Sequence, residues 1–97
     1  MATYIALSNF TEQGLRNVKD TTKRADAVKE AAKKLNFEIT QIYWTLGHHD
    51  VVVVLDAPDD AAATAFALAT GAAGNVKTQT LRAFSKQEMD SILRNLK

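Results

Sequence analysis

The feature that most constrains this chain is residues 51–55, five apolar residues with no polar alternation. Such a β-branched run indicates a strand buried on both faces, because successive side chains of a strand point to opposite sides of the sheet. The predicted strand at residues 3–10 also has apolar residues on both sides, with Ile5 and Leu7 on one side and Tyr4, Ala6 and Phe10 on the other. We therefore expect a sheet that needs apolar cover on both faces.

Hydrophobic periodicity predicts the order strand, helix, strand, strand, helix, strand, with one appended helix. The predicted strands are residues 3–10, 37–46, 51–55 and 76–84, and the predicted helices are residues 11–19, 22–35, 60–70 and a segment after Ser85. This is the split β-α-β plan. We expect a ferredoxin-like α+β fold with an antiparallel four-stranded sheet, as a single domain over residues 1–97.

Short polar residues and glycines mark where the predicted helices begin and end. The expected caps at helix starts are Thr11, the group Asp20, Thr21 and Thr22, Asp59 or Asp60, and Ser85 with Glu88; those at helix ends are Asn36 and Gly71. Capping also explains the acidic residues 56–60 better than a cation site does. Residues 71–74 are expected to form a cap and turn, because a phosphate loop would precede a helix rather than follow one.

A ferredoxin-like sheet of this kind carries both crossover helices on one face, because each crossover is right-handed. The other face would be an exposed apolar patch larger than soluble monomers usually carry. We expect the same face of a second copy to cover it, giving a homodimer of two stacked sheets, a dimeric α/β barrel. The alternative is that the last helix, with Met89, Ile92, Leu93 and Leu96, folds back over its own sheet.

The predicted helix 60–70 is unusually rich in alanine. Small apolar residues surround it on nearly every side, which is typical of a helix buried all round or packed closely on another element. It is therefore a candidate for a second contact between copies, building an oligomer larger than a dimer.

Composition excludes several classes of protein. Twelve Lys and Arg residues against eleven Asp and Glu give a net charge of +1, too small to dominate nucleic-acid binding, and there is no cysteine. The basic residues between 19 and 34 are interleaved with Asp26 and Glu30, which is typical of a solvated helix face. No basic leader and no membrane-length apolar run is present. We expect a cytoplasmic protein with no membrane or nucleic-acid partner, no cofactor and no metal.

Several short motifs together resemble the GYD domain family, over nearly the whole chain. They are Tyr4-Ile5, Phe10-Thr11-Glu12-Gln13-Gly14, Leu46-Gly47 with Asp50, Ala57-Pro58-Asp59-Asp60, Phe66-Ala67-Leu68-Ala69, and the stretch from Asn75-Val76-Lys77 to Ala83-Phe84. The resemblance implies a small, mostly bacterial or archaeal protein with a ferredoxin-like fold of the dimeric α/β barrel type. It implies no catalytic residues, since the family has no established activity. The chain departs from the name motif by having His49 where the family would place tyrosine before Asp50.

His48 and His49 are the only two histidines in the chain and lie in the predicted turn between the second and third strands. Adjacent residues of an extended segment point to opposite sides, so the two rings are not expected to chelate one metal ion. His49 is the candidate general base, with Asp50 as the residue that orients it. A polar turn is the simpler interpretation of both histidines.

Aromatic residues and one arginine complete the candidate ligand-binding set. Tyr43 and Trp44 are neighbours on a strand, so one is expected in the core and the other towards a cavity or a partner. Arg82 can anchor an anion, although an exposed ion pair is the favoured interpretation. The full predicted set is Tyr4, Tyr43, Trp44, His48, His49 and Arg82.

Three functional hypotheses remain open from the sequence. The first is a homo-oligomeric barrel that binds a small, partly apolar molecule between stacked sheets, in a cavity lined by Tyr4, Tyr43, Trp44 and His49. The second is an isomerase- or oxygenase-like enzyme without a cofactor, with His49 as its base, which rests on fold analogy. The third is a purely structural assembly module with a fully packed interface.

Overall fold

The computed structural model describes residues 1–96; Lys97, the last residue of the predicted domain, lies outside the described residues. The strands are β1 (Ala2–Phe10), β2 (Glu38–Trp44), β3 (Val51–Ala57) and β4 (Val76–Ala83). The helices are α1 (Glu12–Arg16), α2 (Thr21–Lys34), α3 (Asp60–Ala72) and α4 (Lys86–Arg94), and a single 3-10 turn spans Val18–Asp20.

The four strands form one antiparallel sheet in the order β2-β3-β1-β4. Ala6, in the middle of β1, lies opposite Val53 on one side and Thr80 on the other. A register shift interrupts the pairing of β2 with β3 between Ile39 and Gln41. This order and the placement of the helices confirm the predicted ferredoxin-like α+β fold.

The core lies between one face of the sheet and helices α2 and α3. Tyr4, Ala6 and Leu55 contribute from the strands, and Ala32 and Ala63 contribute from the helices. The alanines let each helix approach the sheet closely. We call this side the helix-covered face. Every buried strand residue of this core has the same side-chain parity, so α2 and α3 cover only one face.

An aromatic pair closes one end of this core. Phe37, just before β2, is buried and meets the ring of Phe66 from α3 edge-on. The ring centroids are 5.7 Å apart and the planes cross at 82°. This geometry is favourable for two aromatic quadrupoles, so the pair ties α3 to the start of β2.

Most helix ends agree with the capping pattern, and three differ. The Asp20 side chain, expected with Thr21 and Thr22 to cap α2, makes no capping hydrogen bond. The Thr11 and Asp59 side chains accept hydrogen bonds from helix N–H groups, as predicted, and Asn36 takes a left-handed φ of 65°. The prediction that Gly71 ends its helix is wrong: α3 continues to Ala72, and Gly74 has the positive φ, at 86°. The predicted helix 11–19 is shorter than expected, since α1 ends at Arg16.

The appended helix α4 begins with the predicted capping box. The Ser85 hydroxyl accepts from the Glu88 backbone N–H at 3.1 Å, and the Glu88 carboxylate accepts from the Ser85 backbone N–H at 2.9 Å. α4 makes no extensive contact with any strand among residues 1–96, and its apolar residues Met89, Ile92 and Leu93 are 41–50% exposed. The alternative in which α4 covers its own sheet is therefore wrong.

The chain is extended for its size. Its dimensions are 52 × 31 × 19 Å, and its radius of gyration is 14.6 Å, whereas a compact chain of this length has about 12.5 Å. Among residues 1–96, no helix has the length and apolar character needed to cross a membrane.

Candidate functional site

The sheet surface opposite α2 and α3 is the first candidate interface, and we call it the open face. Its apolar centre consists of Ile5, Leu7, Tyr43, Val52, Val54 and Leu81. Ile5 lies between Val54 and Leu81 in the strand register, and Tyr43 lies opposite Val52. Cross-strand neighbours on one face contact each other, so these side chains form one continuous patch.

Polar side chains surround the apolar centre of the open face. They are Thr3, Asn9, Gln41, Asp56, Lys77 and Gln79. The hydroxyl of Thr3 donates to Asp56 at 2.8 Å. In the centre, Tyr43 is 54% exposed and Leu81 is 39% exposed. An apolar centre inside a polar rim is the anatomy of a protein interface.

A second apolar surface lies on α4. Met89, Ile92 and Leu93 of α4, and Leu96 just beyond its end, are between 41% and 71% exposed. The spacing of the three helical residues places them on one side of the helix, which is strongly amphipathic. α4 has no extensive contact with the sheet among residues 1–96, so this stripe stays largely open to solvent.

The predicted aromatic lining is divided between the two faces of the sheet. Tyr4 is buried in the core, and Trp44 lies on the same helix-covered face, where its indole N–H donates to the Thr21 hydroxyl at 3.1 Å. Tyr43 lies on the open face, opposite Val52. Tyr4 and Trp44 therefore cannot line one cavity together with Tyr43, because strand alternation separates them by the thickness of the sheet.

Arg82 also belongs to the helix-covered side, at the end of β4. Its guanidinium lies 4.5 Å from the Phe84 ring centroid and 5.6 Å from that of Tyr4. It forms an ion pair with Glu88 at 3.5 Å, which agrees with the favoured interpretation of this residue. The arginine thus fixes the start of α4 against the end of the sheet.

Tyr4 has one polar partner in this region. Its hydroxyl donates a short hydrogen bond to the carboxylate of Asp60. That bond, together with burial and the negative charge of Asp60, raises the pKa of the Tyr4 phenol above its ordinary value. The phenol therefore stays protonated and joins β1 to the first turn of α3.

The loop with both histidines lies at the other end of the sheet. The Nδ1 atom of His49 is 3.0 Å from Oδ1 of Asn9, and Asn9 also donates to the His48 carbonyl. The carboxylate of Asp50 accepts from the Phe10 backbone N–H at 2.9 Å. Asp50 thus stabilises the end of β1, and no hydrogen bond among the described residues joins it to the His49 ring.

The sequence did not single out a close contact between α1 and the loop before β4. The Thr11 backbone N–H donates to the Asn75 carbonyl at 3.0 Å, and the Thr11 hydroxyl donates to the Gly74 carbonyl at 2.6 Å. The Gln13 amide donates to the Ala73 carbonyl at 3.2 Å. Residues 10–14 and 75–76 lie in two of the motifs that carry the family resemblance, and the occurrence of both motifs in one chain was the available sequence signal for this contact.

Ionisable groups do not gather into a metal-binding arrangement in the part of the chain that the structure describes. No group of three or more histidine and carboxylate side chains converges within residues 1–96. The exposed surface is instead apolar at the open face and α4, which suits protein contacts better than acid–base chemistry.

Comparison with known families agrees with this geometry. Residues 4–93 match the GYD domain. The chain belongs to the GYD domain family. This confirms the resemblance drawn from the sequence motifs. The matched residues include the apolar centre of the open face and the histidine loop.

A curated relative of this GYD protein is known from Thermus thermophilus. It is named "Glutamine synthetase and cystathionine beta-lyase binding protein". The two chains are 32% identical over 84 residues, which is 86% of this chain and 88% of the relative. No solved structure gives a significant match.

Proposed function

We propose that this GYD protein is a homodimeric binding protein that attaches to a metabolic enzyme. The observation that supports this proposal is the large solvent-accessible area of the single chain. The chain exposes 6790 Å², whereas a folded monomer of its mass exposes about 5,500 Å². The excess of about 1,300 Å² exceeds the roughly 800 Å² that each partner buries in a standard interface.

The open face and α4 supply the contact between copies in this proposal. A two-fold axis brings the same patch of each copy together, so Ile5, Val54 and Leu81 meet their equivalents. The apolar side of α4 extends beyond its own sheet and is free to pack on the partner. Both surfaces are then buried in the dimer, which removes the excess exposed area.

The outer side of α3 is the surface that we assign to the enzyme. Ala61, Ala65, Leu68 and Ala72 recur at helical spacing, and all are exposed. Leu68 is 70% exposed in the middle of this stripe. Small residues around one large apolar side chain let another protein approach closely and bury that side chain. The name of the Thermus relative supports an enzyme partner of this kind.

Binding to purified enzymes tests the proposal. Glutamine synthetase and cystathionine beta-lyase would be taken from the organism that produces this chain and immobilised. The affinity of this chain for each enzyme would then be measured by biolayer interferometry. We expect one of them to bind at micromolar concentration or tighter. Leu68→Glu should weaken that binding about tenfold or more, since a buried apolar anchor is replaced by a charge.

The control is Leu35→Glu, which changes another exposed leucine, 64% exposed beyond the end of α2. It should bind as the wild type does, and both variants should keep the wild-type mass in light scattering. Failure of both enzymes to bind, or wild-type binding by Leu68→Glu, would contradict the proposal.

The other hypotheses stay predictions with less support. A ligand cavity between stacked sheets loses Tyr4 and Trp44, which lie on the helix-covered face. A base at His49 lacks a hydrogen bond to Asp50, since the His49 ring contacts Asn9. The cytoplasmic location and the larger oligomer through helix 60–70 also stay predictions.

A further inference from the structure

Helices α2 and α3 leave a cavity between them on the helix-covered face. Its volume is about 270 Å³, just below the roughly 300–1,000 Å³ of typical ligand pockets. Its walls are mostly apolar and include Ala25, Val28, Val53, Phe66 and Ala67. The alanines contribute little volume, so the two helices reach the sheet without filling the space between them.

One charged side chain lies on this wall. Arg24 of α2 donates from Nη1 to the Asn17 carbonyl at 2.7 Å. Its Nη2 atom is shielded from solvent and has no hydrogen-bond partner among residues 1–96. No acidic residue lines the cavity. A buried donor of a charged group is costly to leave unpaired, so this nitrogen needs an acceptor.

We propose that this cavity binds a small monocarboxylate with an apolar body. The carboxylate accepts a hydrogen bond from Nη2 of Arg24, and the apolar body packs between Val28, Phe66 and the sheet. A single cation suits a single negative charge, whereas a phosphate dianion would lack a second cation among the lining residues. The ligand occupies a face of the sheet that neither the proposed dimer contact nor the proposed enzyme contact uses.

Trp44 offers a direct readout, since it is the only tryptophan in the chain and lines the cavity. Its indole N–H donates to Thr21, one helical turn before Arg24. A ligand in the cavity should therefore change the intrinsic fluorescence. The probes are octanoate and 1-octanol, which share an apolar body and differ in charge, titrated into the full chain at pH 7.

We expect octanoate to bind about tenfold to a hundredfold more tightly than octanol, the range of a hydrogen bond to a charged group. Arg24→Gln should remove this difference. Ala67→Leu should weaken both probes, because the added side chain fills the cavity without removing a polar group. Lys29→Gln, which removes an exposed charge from the same helix, should leave both affinities unchanged.

Several results would overturn the proposal. They are equal affinities of the two probes for the wild type, no change in Trp44 fluorescence at millimolar octanoate, and an octanoate affinity that stays at the wild-type value in either Arg24→Gln or Ala67→Leu. Far-UV circular dichroism of each variant establishes that it is folded. If Arg24→Gln unfolds, the comparison of octanoate with octanol in wild type and Ala67→Leu still decides the question.

Discussion

Gly14 controls how closely α1 approaches the loop before β4. A Cβ atom built on this residue would lie 2.1 Å from the Asn75 carbonyl oxygen, which is main chain and cannot rotate away. Position 14 therefore holds a glycine because the backbone of Asn75 approaches it closely, and not because the chain needs flexibility there. The same contact carries the hydrogen bonds from Thr11 and Gln13 to residues 73–75.

The first prediction concerns this approach. Gly14→Ala should lower the free energy of unfolding by about 1–3 kcal/mol, the usual cost of overpacking. Gly71→Ala is the matched control, because Gly71 lies inside α3 with nothing within 4 Å of its added Cβ. It should be neutral or more stable by about 0.5–1 kcal/mol, since alanine favours a helix. Urea unfolding at equal protein concentration measures both, and an equally stable Gly14→Ala would refute the close approach.

Glu88 supplies a pH-dependent contribution to α4. The backbone N–H of Ser85 is the largest cause that holds its pKa below the ordinary 4.5, with help from the Ser85 hydroxyl and Arg82 and against partial burial. A lowered pKa means that the stabilisation is present above pH 4.5 and is lost as the pH falls through the lowered value.

The helix content should therefore decrease as the pH falls below 4.5, and Glu88→Gln should show a smaller decrease, because its amide still accepts from Ser85 but does not titrate. Far-UV circular dichroism between pH 7 and pH 2 measures this difference. Identical titration curves for wild type and Glu88→Gln would show that the capping carboxylate is not coupled to α4.

At the scale of elements, the sequence predicted the strands and most helix caps, because these depend on residues that are close together along the chain. Alternation placed β1 and β2, an uninterrupted β-branched run placed β3, and short polar side chains placed the caps at Thr11, Asp59 and Ser85. Gly71 misled the prediction because a glycine inside a helix looks like a helix end, while the turn requiring positive φ lies three residues later, at Gly74.

The predicted ligand-binding set depends on information of a different kind. Parity separates Tyr43 from Trp44, but it does not say which of the two faces α2 and α3. That depends on where the helices pack, a long-range property that no short segment contains. The direction of α4 was open for the same reason: its apolar side was visible in the sequence, and its position relative to the sheet was not.

At the scale of the whole molecule, the shape follows from having helices on only one face of the sheet. Two crossover helices shelter one face of the sheet and α4 projects away, which gives a chain 52 Å long that exposes 6790 Å². The apolar centre of the open face is continuous, and none of its described residues is covered by α2 or α3. A second copy is the simplest surface that matches them.

Sedimentation of the purified chain at about 10 μM, which is above the micromolar to picomolar dissociation constants of standard-size interfaces, tests this most directly. We predict a mass of twice 10.6 kDa for the wild type and for Leu35→Glu. Leu81→Glu, which places a charge in the open face on the edge strand β4, should shift the mass towards that of one chain. A single-chain mass for the wild type, or an unchanged dimer in Leu81→Glu, would contradict the proposed stacking of open faces.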